Sequence, residues 1–375
     1  MVTLKGSSHL DHGGNVAAAA RLYRVPAGSL IDFSANIVPW GPPAGVRKAI
    51  AGSFEAIRRY PDPGYGRLRR ALGRSLRVPV ECLAVGNGGA DLIHQLVHRV
   101  RPRTVVVVDP TFSEYGAAAR GIGVEVVSVM LDAGRGFRLD AKALLSAVDE
   151  GSLVFLCNPN NPTGGLLPGS ETAALFRAIR SRGAFLTVDE SFIDFLPDPR
   201  PESVAREAGA HSGLAVIGSL TKFYALPGLR LGYLVAAADF VRAFEDGRAP
   251  WTVNSFAEQA GLAALADREY PARVRRLVPT ERQYLAEGME RLGWLRPWPS
   301  VANFILARIT GSPDPRRWPV LTSSELTRAL AGRGILVRDC RSFTGLGSDH
   351  IRVAVRDRAD NKRLLAALGG LSNGS

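Results

Sequence analysis

Short apolar runs alternate with helical stretches of about ten residues between residues 82 and 235, and this alternation limits the possible folds most strongly. Runs without a polar residue at every second position are typical of strands that are buried on both faces of a parallel sheet. The sequence therefore predicts an α/β fold in which helices flank a mostly parallel central sheet. The predicted strands are 82–85, 104–108, 125–129, 153–157, 185–188, 214–218 and 231–235.

A chain of 375 residues exceeds the size at which a single hydrophobic core stops growing, so we expect more than one domain. Segment 1–45 is rich in Gly and Pro and is interpreted as an irregular arm that joins the small domain. Segment 46–262 is the predicted large domain, and segment 263–375 is a smaller α+β domain. A long helical stretch, 255–291, links them and is expected to break at Pro271, with Pro279 as a second candidate.

The cysteines and the charge restrict the class of protein. Cys82, Cys157 and Cys340 are too few for a disulfide framework or a CxxC metal site, which favours free thiols in a reducing compartment. Without a signal peptide or an apolar run of about 18 residues, the chain is predicted to be soluble and cytoplasmic. The net charge of +12 is spread without a nucleic-acid-binding motif, so we expect neither nucleic acid nor membrane as partner, but an anionic substrate.

Lys222 is conspicuous because the chain contains only five lysines. It lies in the segment IGSLTKFYALPGLRLGY, close to Ser219, Thr221 and Arg230. A lysine that loses its proton can act as a nucleophile or form a Schiff base, whereas a solvated loop lysine is the simpler interpretation. The surroundings of Lys222 must decide between the two.

Several motifs follow predicted strands, where a parallel sheet binds its ligands. They are GNGGAD at 86–91, DPTFSEY at 109–115, NPNNPTGG at 158–165 and DE at 189–190. The first could imitate a dinucleotide-binding loop with Asp109 as the acidic residue, but Asp91 replaces its third glycine. His94 and His98 could suggest a metal site, but no third ligand lies nearby, so we predict none and interpret both as helix-face residues.

Bound pyridoxal 5'-phosphate would account for all of these groups. Lys222 would form an aldimine with the cofactor, Asp189 would stay ionised and keep the pyridine nitrogen protonated, and Asn161 would donate to the phenolate oxygen. Phe112 or Tyr115 would cover the ring face. The phosphate would be bound by Gly89, Ala90, Ser219, Thr221 and Arg230.

The motifs RYPDPGYG, GNGGAD, DPTFSEY, NPNNPTGG, VDESF, SLTKFYALPGLRLGY and IRVAV resemble, in order and spacing, those of the fold type I pyridoxal-phosphate enzymes of the aminotransferase class I/II family. The resemblance implies a homodimer in which Tyr60 reaches the cofactor phosphate of the other subunit, and it implies that Arg352 binds a substrate anion. Phe192 departs from the family pattern, because many members have a tyrosine there that donates to the phenolate oxygen. The GNG loop also lacks the common serine, which leaves Gly89 and Ala90 to bind by backbone.

Two branches of this family fit best. HGGN at 12–15, the SAN segment that ends at Asn36, DESFIDF and LVRDC look like threonine-phosphate decarboxylases of cobalamin biosynthesis, whereas histidinol-phosphate aminotransferases share most of the rest. The first branch implies decarboxylation of L-threonine O-3-phosphate to (R)-1-amino-2-propanol O-2-phosphate through a quinonoid, and the second implies amino transfer. The expected substrate-binding residues are His12, Asn36, Arg338 and Arg352. His12 could instead be an ordinary loop histidine, and Arg338 could form an ion pair with Asp339.

Overall fold

The computed structural model of the chain describes residues 13–318 and 320–371, and their contacts divide them into two units. The large unit comprises Trp40–Asn161 and Gly165–Arg276. The small unit comprises the described residues up to Pro39, Pro162–Gly164 and the described residues from Leu277 onward. The domain limits 1–45, 46–262 and 263–375 stay a prediction, because a division by contacts does not test independent folding.

The regular elements of the described residues are numbered in chain order. The strands are β1 (Ile31–Asp32), β2 (Leu83–Gly86), β3 (Thr104–Asp109), β4 (Glu125–Met130), β5 (Ser152–Cys157), β6 (Phe185–Asp189), β7 (Leu214–Ser219), β8 (Gly232–Ala236), β9 (Leu295–Pro297), β10 (Phe304–Ile309), β11 (Ile335–Leu336), β12 (Arg338–Asp339) and β13 (His350–Ala354). The α-helices are α1 (Val16–Tyr23), α2 (Ala44–Gly52), α3 (Gly66–Leu76), α4 (Gly89–Val100), α5 (Glu114–Gly121), α6 (Ala141–Ser146), α7 (Gly169–Arg180), α8 (Ala205–Ala210), α9 (Leu220–Phe223), α10 (Ala238–Asp246), α11 (Ser255–Ala266), α12 (Glu269–Glu290), α13 (Ser323–Ala331) and α14 (Arg358–Gly369).

The large unit is built on a sheet with the strand order β2-β8-β7-β6-β5-β3-β4. β8 runs antiparallel to both of its neighbours, and the remaining pairs are parallel. Every residue of β5, β7 and β8 is buried, as expected for strands that are covered on both faces. The prediction of a mostly parallel α/β core is confirmed.

Helix α4 shows how the sequence positions a helix against this sheet. Its buried residues form one stripe, and they share a core cluster with residues of β3 and β5. The stripe consists of Leu92, Ile93, Leu96 and Val97. His94 lies outside it and its Nε2 lies 3.0 Å from Glu114 Oε2 on α5, while His98 is exposed. In the described part of the chain, no three His, Cys, Asp or Glu side chains are grouped to hold a metal ion.

The small unit contains an antiparallel sheet, β12-β13-β10-β9, and a parallel pair, β1-β11. The expectation that the first 45 residues are irregular is wrong for part of the segment, because α1 is a regular helix. Asn15 caps it by accepting a hydrogen bond from the Ala18 N–H at 3.0 Å. The alanine run in α1 has high helix propensity, which outweighs the glycines and prolines on either side.

The long helical stretch breaks earlier than Pro271. α11 ends at Ala266, and Asp267 Oδ1 accepts hydrogen bonds from the N–H groups of Glu269 and Tyr270 at the start of α12. Pro271 is therefore accommodated in the first turn of α12, where the missing N–H costs no helical bond. Pro279 lies inside the helix without ending it. Among the described residues, no helix is long and apolar enough to cross a membrane.

Candidate active site

The sheet of the large unit brings the motif-bearing strand ends to one edge. Its register pairs Cys157 of β5 with Asp189 of β6, and Ser219 of β7 with Gly232 of β8. Gly232 also pairs with Gly86, the last residue of β2. The residues that follow β2, β5, β6 and β7, and those that precede the antiparallel β8, therefore lie along the same edge, where α/β sheets bind ligands.

The glycine-rich loop between β2 and α4 forms a cradle for an anion. Gly88 has φ +85°, and a Cβ built on it would lie 2.7 Å from Nη2 of Arg230. A Cβ on Gly232 would lie 2.9 Å from the Gly89 nitrogen, so neither position admits a larger residue. Since α4 begins at Gly89, the N–H groups of Gly89 and Ala90 have no acceptor within the helix, and together with Arg230 they can bind a phosphate.

Asp91, in the first turn of α4, is hydrogen-bonded to the glycine-rich loop. One of its carboxylate oxygens accepts a hydrogen bond from the Asn87 N–H at 2.9 Å, and the other accepts one from Gln95 Nε2 at 2.6 Å. A dinucleotide fingerprint needs a glycine here so that helix and strand pack closely. The carboxylate therefore disfavours the dinucleotide alternative.

Lys222 lies in the short helix α9, beside two buried hydroxyl groups. Ser219 caps the helix by accepting a hydrogen bond from the Thr221 N–H at 3.2 Å, and the two side-chain oxygens lie 2.7 Å apart. Lys222 itself is half-buried. The predicted lysine, serine and threonine thus form one compact group at the end of β7.

The residue after Lys222 fixes the position of this group. Phe223 is fully buried, and its ring packs edge-on against Phe195 at 5.2 Å. The hydroxyl of Tyr270 lies 3.1 Å from the Phe223 carbonyl oxygen, and the Arg275 guanidinium lies over the Phe223 ring. The backbone next to Lys222 is therefore held by the packing of Phe223 in the core.

Asp189 is a buried carboxylate whose two oxygens are both held. Oδ1 accepts a hydrogen bond from the Ser191 N–H at 2.9 Å, and Oδ2 accepts one from the Tyr115 hydroxyl at 2.8 Å. Burial raises the pKa of Asp189, while the hydrogen bonds and the charge of Lys222 act in the opposite direction. A cationic ring nitrogen placed beside Asp189 would favour its ionised form further.

Of the two aromatic residues expected at the ring face, only Phe112 has an accessible side chain. Tyr115 has no exposed surface, and its ring stacks on Phe155 with centroids 4.8 Å apart. Phe112 is half-buried and meets Tyr115 edge-on at 5.8 Å. The structure disfavours the alternative that Tyr115 covers the ring, because the side chain has no exposed surface and one ring face packs on Phe155.

Asn161 lies at the end of a loop that its neighbours hold firmly. The side chain of Asn160 accepts a hydrogen bond from Thr111 Oγ1 and donates one to the Pro110 carbonyl, both at 3.0 Å. Asn161 is almost fully buried. Phe192, also buried, offers no hydroxyl at the position where a tyrosine was considered. Asn161 remains the side chain expected at a phenolate oxygen.

Tyr60 stands apart from these groups on the surface of the large unit. It is 78% exposed, and its ring stacks on Trp251 with centroids 4.4 Å apart. Such an exposed aromatic pair fits the prediction that Tyr60 serves another subunit, which the single chain does not test.

The small unit contains two of the expected substrate-binding residues side by side. Arg338 of β12 and Arg352 of β13 are register partners, and both are buried. Arg352 donates a hydrogen bond from Nη2 to the Ser34 carbonyl, and Arg338 donates one from Nη2 to Ser342 Oγ, both at 2.8 Å. Burial lowers the pKa of Arg352 to about 10, with Arg338 contributing, and the guanidinium stays protonated at neutral pH. Two adjacent buried cations are suited to an anionic ligand.

The other two expected substrate-binding residues belong to the N-terminal segment. Asn36 is buried, and its Oδ1 has no hydrogen-bond partner among the residues that the structure describes. An unsatisfied buried amide oxygen can accept a bond from a ligand. His12 lies outside the described residues, so its role stays a prediction.

Glu190 is a buried acid to which the sequence analysis assigns no role beyond its place in the DE motif. Its Oε2 accepts a hydrogen bond from Ser203 Oγ at 2.6 Å, and its Oε1 accepts one from the Val204 N–H at 2.8 Å. Burial raises the pKa of Glu190 to about 8 from an ordinary 4.5. Its position next to Asp189 was a possible signal, but nothing in the sequence indicated that both successive acids would be buried.

Glu190→Gln is expected to reduce the pH dependence of stability. The folded chain keeps the Glu190 proton up to about pH 8, whereas the unfolded chain releases it near its ordinary pKa of 4.5. The free energy of unfolding therefore falls as pH rises through this window. Urea unfolding at pH 5 and pH 8 should show a smaller difference in Glu190→Gln than in the parent protein. The exposed Glu171→Gln should keep the parent difference, and equal differences in all three proteins would contradict the assignment.

Comparisons with known proteins agree with this geometry. The family model for aminotransferase class I and II matches residues 29–368. Threonine-phosphate decarboxylase from Salmonella typhimurium is 36% identical over 97% of this chain and 97% of its own length. Histidinol-phosphate aminotransferase from Desulfitobacterium hafniense is 34% identical over 90% of each chain. The crystal structure of histidinol-phosphate aminotransferase from Clostridium acetobutylicum has a TM-score of 0.84 at 29% identity, covering 92% of this chain and 100% of its own.

Proposed function

The chain belongs to the aminotransferase class I and II family, and on that premise we propose that it decarboxylates L-threonine O-3-phosphate to (R)-1-amino-2-propanol O-2-phosphate in cobalamin biosynthesis. It is a member of a pyridoxal-phosphate enzyme family, and its cofactor is pyridoxal 5'-phosphate.

The residues of the large unit fit this cofactor. The close approach of Gly88 and Arg230 leaves a cradle for its phosphate, which Ser219 and Thr221 border. Asp189 is a buried acceptor for a ring N–H, Asn161 is a donor for the phenolate oxygen, and Lys222 supplies the amine for covalent attachment. When bound, the ring draws electrons from the bond that breaks at the substrate Cα.

The roles of the protein groups follow from their chemistry. Asp189 keeps a proton on the ring nitrogen by its negative charge. Lys222, whose amine would hold the cofactor before substrate binds, would also supply the proton that Cα accepts after CO₂ has left. Arg338 and Arg352 are proposed to bind the anionic groups of the substrate, with Asn36 and His12 as further contacts. In an aminotransferase, Lys222 would instead remove the proton from Cα.

The observation that carries the choice of decarboxylation is the match to the Salmonella decarboxylase, which extends over 97% of both chains. The aminotransferase from Desulfitobacterium hafniense covers 90% at similar identity, so amino transfer between histidinol phosphate and 2-oxoglutarate is the competing function. The buried cation pair Arg338 and Arg352 suits a substrate that carries both a carboxylate and a phosphate.

Product analysis with purified holoenzyme tests the proposal. Threonine phosphate alone should yield CO₂ and an amine, with no need for an amino acceptor. In a parallel reaction, histidinol phosphate with 2-oxoglutarate should yield no glutamate. Glutamate formation from histidinol phosphate and 2-oxoglutarate, with no CO₂ released from threonine phosphate, would assign the chain to the aminotransferases.

We also propose that the chain forms a homodimer. The large unit exposes the apolar side chains of Phe54, Ile57, Tyr60 and Trp251. Tyr60 and Trp251 are stacked on each other, so a partner that covers one covers the other. Exposed apolar patches mark interaction sites, and a second copy of the chain would bring Tyr60 to the partner's cofactor phosphate.

Ile57→Asp is expected to convert the dimer to a monomer. A charge buried in an apolar interface has no partner and disfavours association. Light scattering after size-exclusion chromatography at micromolar concentration should show the halved mass. Met130→Asp, which replaces another exposed apolar side chain, should leave the dimer intact. A monomeric parent protein, or a dimeric Ile57→Asp variant, would refute this interface.

A further inference from the structure

Tyr115 has a hydroxyl group in the protein core that packing alone does not require. The side chain has no exposed surface, its ring is stacked on Phe155, and phenylalanine would fill the same space. Burying a hydroxyl is unfavourable unless it forms a hydrogen bond. The hydroxyl of Tyr115 forms its bond with Oδ2 of Asp189, 2.8 Å away.

This bond completes the support of the Asp189 carboxylate from two directions. The Ser191 N–H holds Oδ1 from the residues that follow β6, while Tyr115 holds Oδ2 from α5. The donor to Oδ1 is a backbone N–H. The donor to Oδ2 is the hydroxyl of a buried ring that packs against Phe155 and Phe112. The carboxylate plane is therefore fixed before any ligand binds, which is how a site is preorganised.

The hydroxyl also remains a donor throughout the working pH range. Burial raises the pKa of Tyr115 well above its ordinary value, and the negative charge of Asp189 contributes. The neighbouring Cys157 stays a neutral thiol, because burial raises its pKa to about 12. Tyr115 thus donates to the Asp189 carboxylate, and the donated bond lowers the pKa of the carboxyl.

We propose that Tyr115 is a positioning residue for Asp189: it holds the carboxylate in the orientation and charge state needed to bind the protonated ring nitrogen of the cofactor. The inference rests on the proposed cofactor site but not on whether the reaction is decarboxylation or amino transfer. It assigns to Tyr115 a role that acts through Asp189 and not through contact with the substrate.

Tyr115→Phe tests this role because it removes the hydroxyl and keeps the ring. The dissociation constant of the cofactor should rise about tenfold, the loss expected for a hydrogen bond to a charged group. The circular dichroism of the bound cofactor should change, and kcat should fall about tenfold with KM for the substrate within about twofold. Cofactor binding and circular dichroism are read without substrate, so they remain informative if the proposed reaction is wrong.

A double-mutant cycle separates positioning from a general structural effect. In the Asp189→Asn background, Tyr115→Phe should change cofactor affinity and kcat by less than about twofold, because the charge on which it acts is absent. Equal losses in both backgrounds would overturn the proposal. Unchanged cofactor affinity and circular dichroism in Tyr115→Phe would overturn it as well, including when the variant is less stable.

Discussion

Lys222→Ala is expected to lower kcat at least about a thousandfold, because it removes both the amine that attaches the cofactor and the group that transfers the proton at Cα. The cofactor should still bind, since the phosphate cradle of Gly89, Ala90 and Arg230 does not involve Lys222. Borohydride reduction followed by mass spectrometry should locate the cofactor on the peptide that contains Lys222 in the parent protein and on no peptide in the variant.

The exposed Lys142→Ala is the matched control for this prediction. It removes a lysine from the surface and should leave both kcat and the labelled peptide unchanged. Labelling of another lysine in the parent protein, or substantial turnover by Lys222→Ala, would show that the anchor has been misassigned.

Asp189→Asn is expected to lower kcat by roughly 10²- to 10³-fold, the usual effect of removing one preorganised electrostatic contact. Asparagine has nearly the same shape, and its single Oδ1 can accept the bond from the Ser191 N–H while its amide group faces the Tyr115 hydroxyl, which can accept a hydrogen bond. The negative charge that keeps the ring nitrogen protonated is lost. Steady-state kinetics should show the loss mainly in kcat. The exposed Asp239→Asn should behave like the parent protein.

A cofactor analogue without the ring nitrogen provides a second test of the role of the Asp189 charge. The 1-deaza analogue has a carbon in place of that nitrogen, so Asp189 has no proton to hold. With this analogue, the parent protein and Asp189→Asn should have similar kcat values. A persistent 10²-fold difference would mean that Asp189 acts mainly on the fold.

The positions of the strands, and of the motifs that follow them, were predictable because burial on both faces leaves a strong apolar signal in each strand. Lys222, Asp189 and Asn161 could then be placed together, since residues that follow parallel strands share one edge of the sheet. The antiparallel direction of β8 was not visible, because its apolar run is the same for either direction. Asn15 could have indicated the start of α1, because asparagine is a common N-cap residue. Gly13 and Gly14 directly before it favoured a loop instead.

The contacts that cross long stretches of chain could not be predicted. Tyr115 and Asp189 are separated by 74 positions, and only the fold brings the hydroxyl to the carboxylate. The motif DPTFSEY offered both Phe112 and Tyr115 for the ring face but did not indicate which ring would be buried. Likewise, the register of β12 and β13 is what places Arg338 beside Arg352.

The most direct test of the central claim follows the carboxylate carbon of threonine phosphate. With substrate labelled at that carbon and purified holoenzyme, we expect one labelled CO₂ for each molecule consumed and all of the nitrogen in 1-amino-2-propanol phosphate. Label that stays in a keto acid, with the amino group transferred to an acceptor, would contradict the assignment of this chain as a decarboxylase.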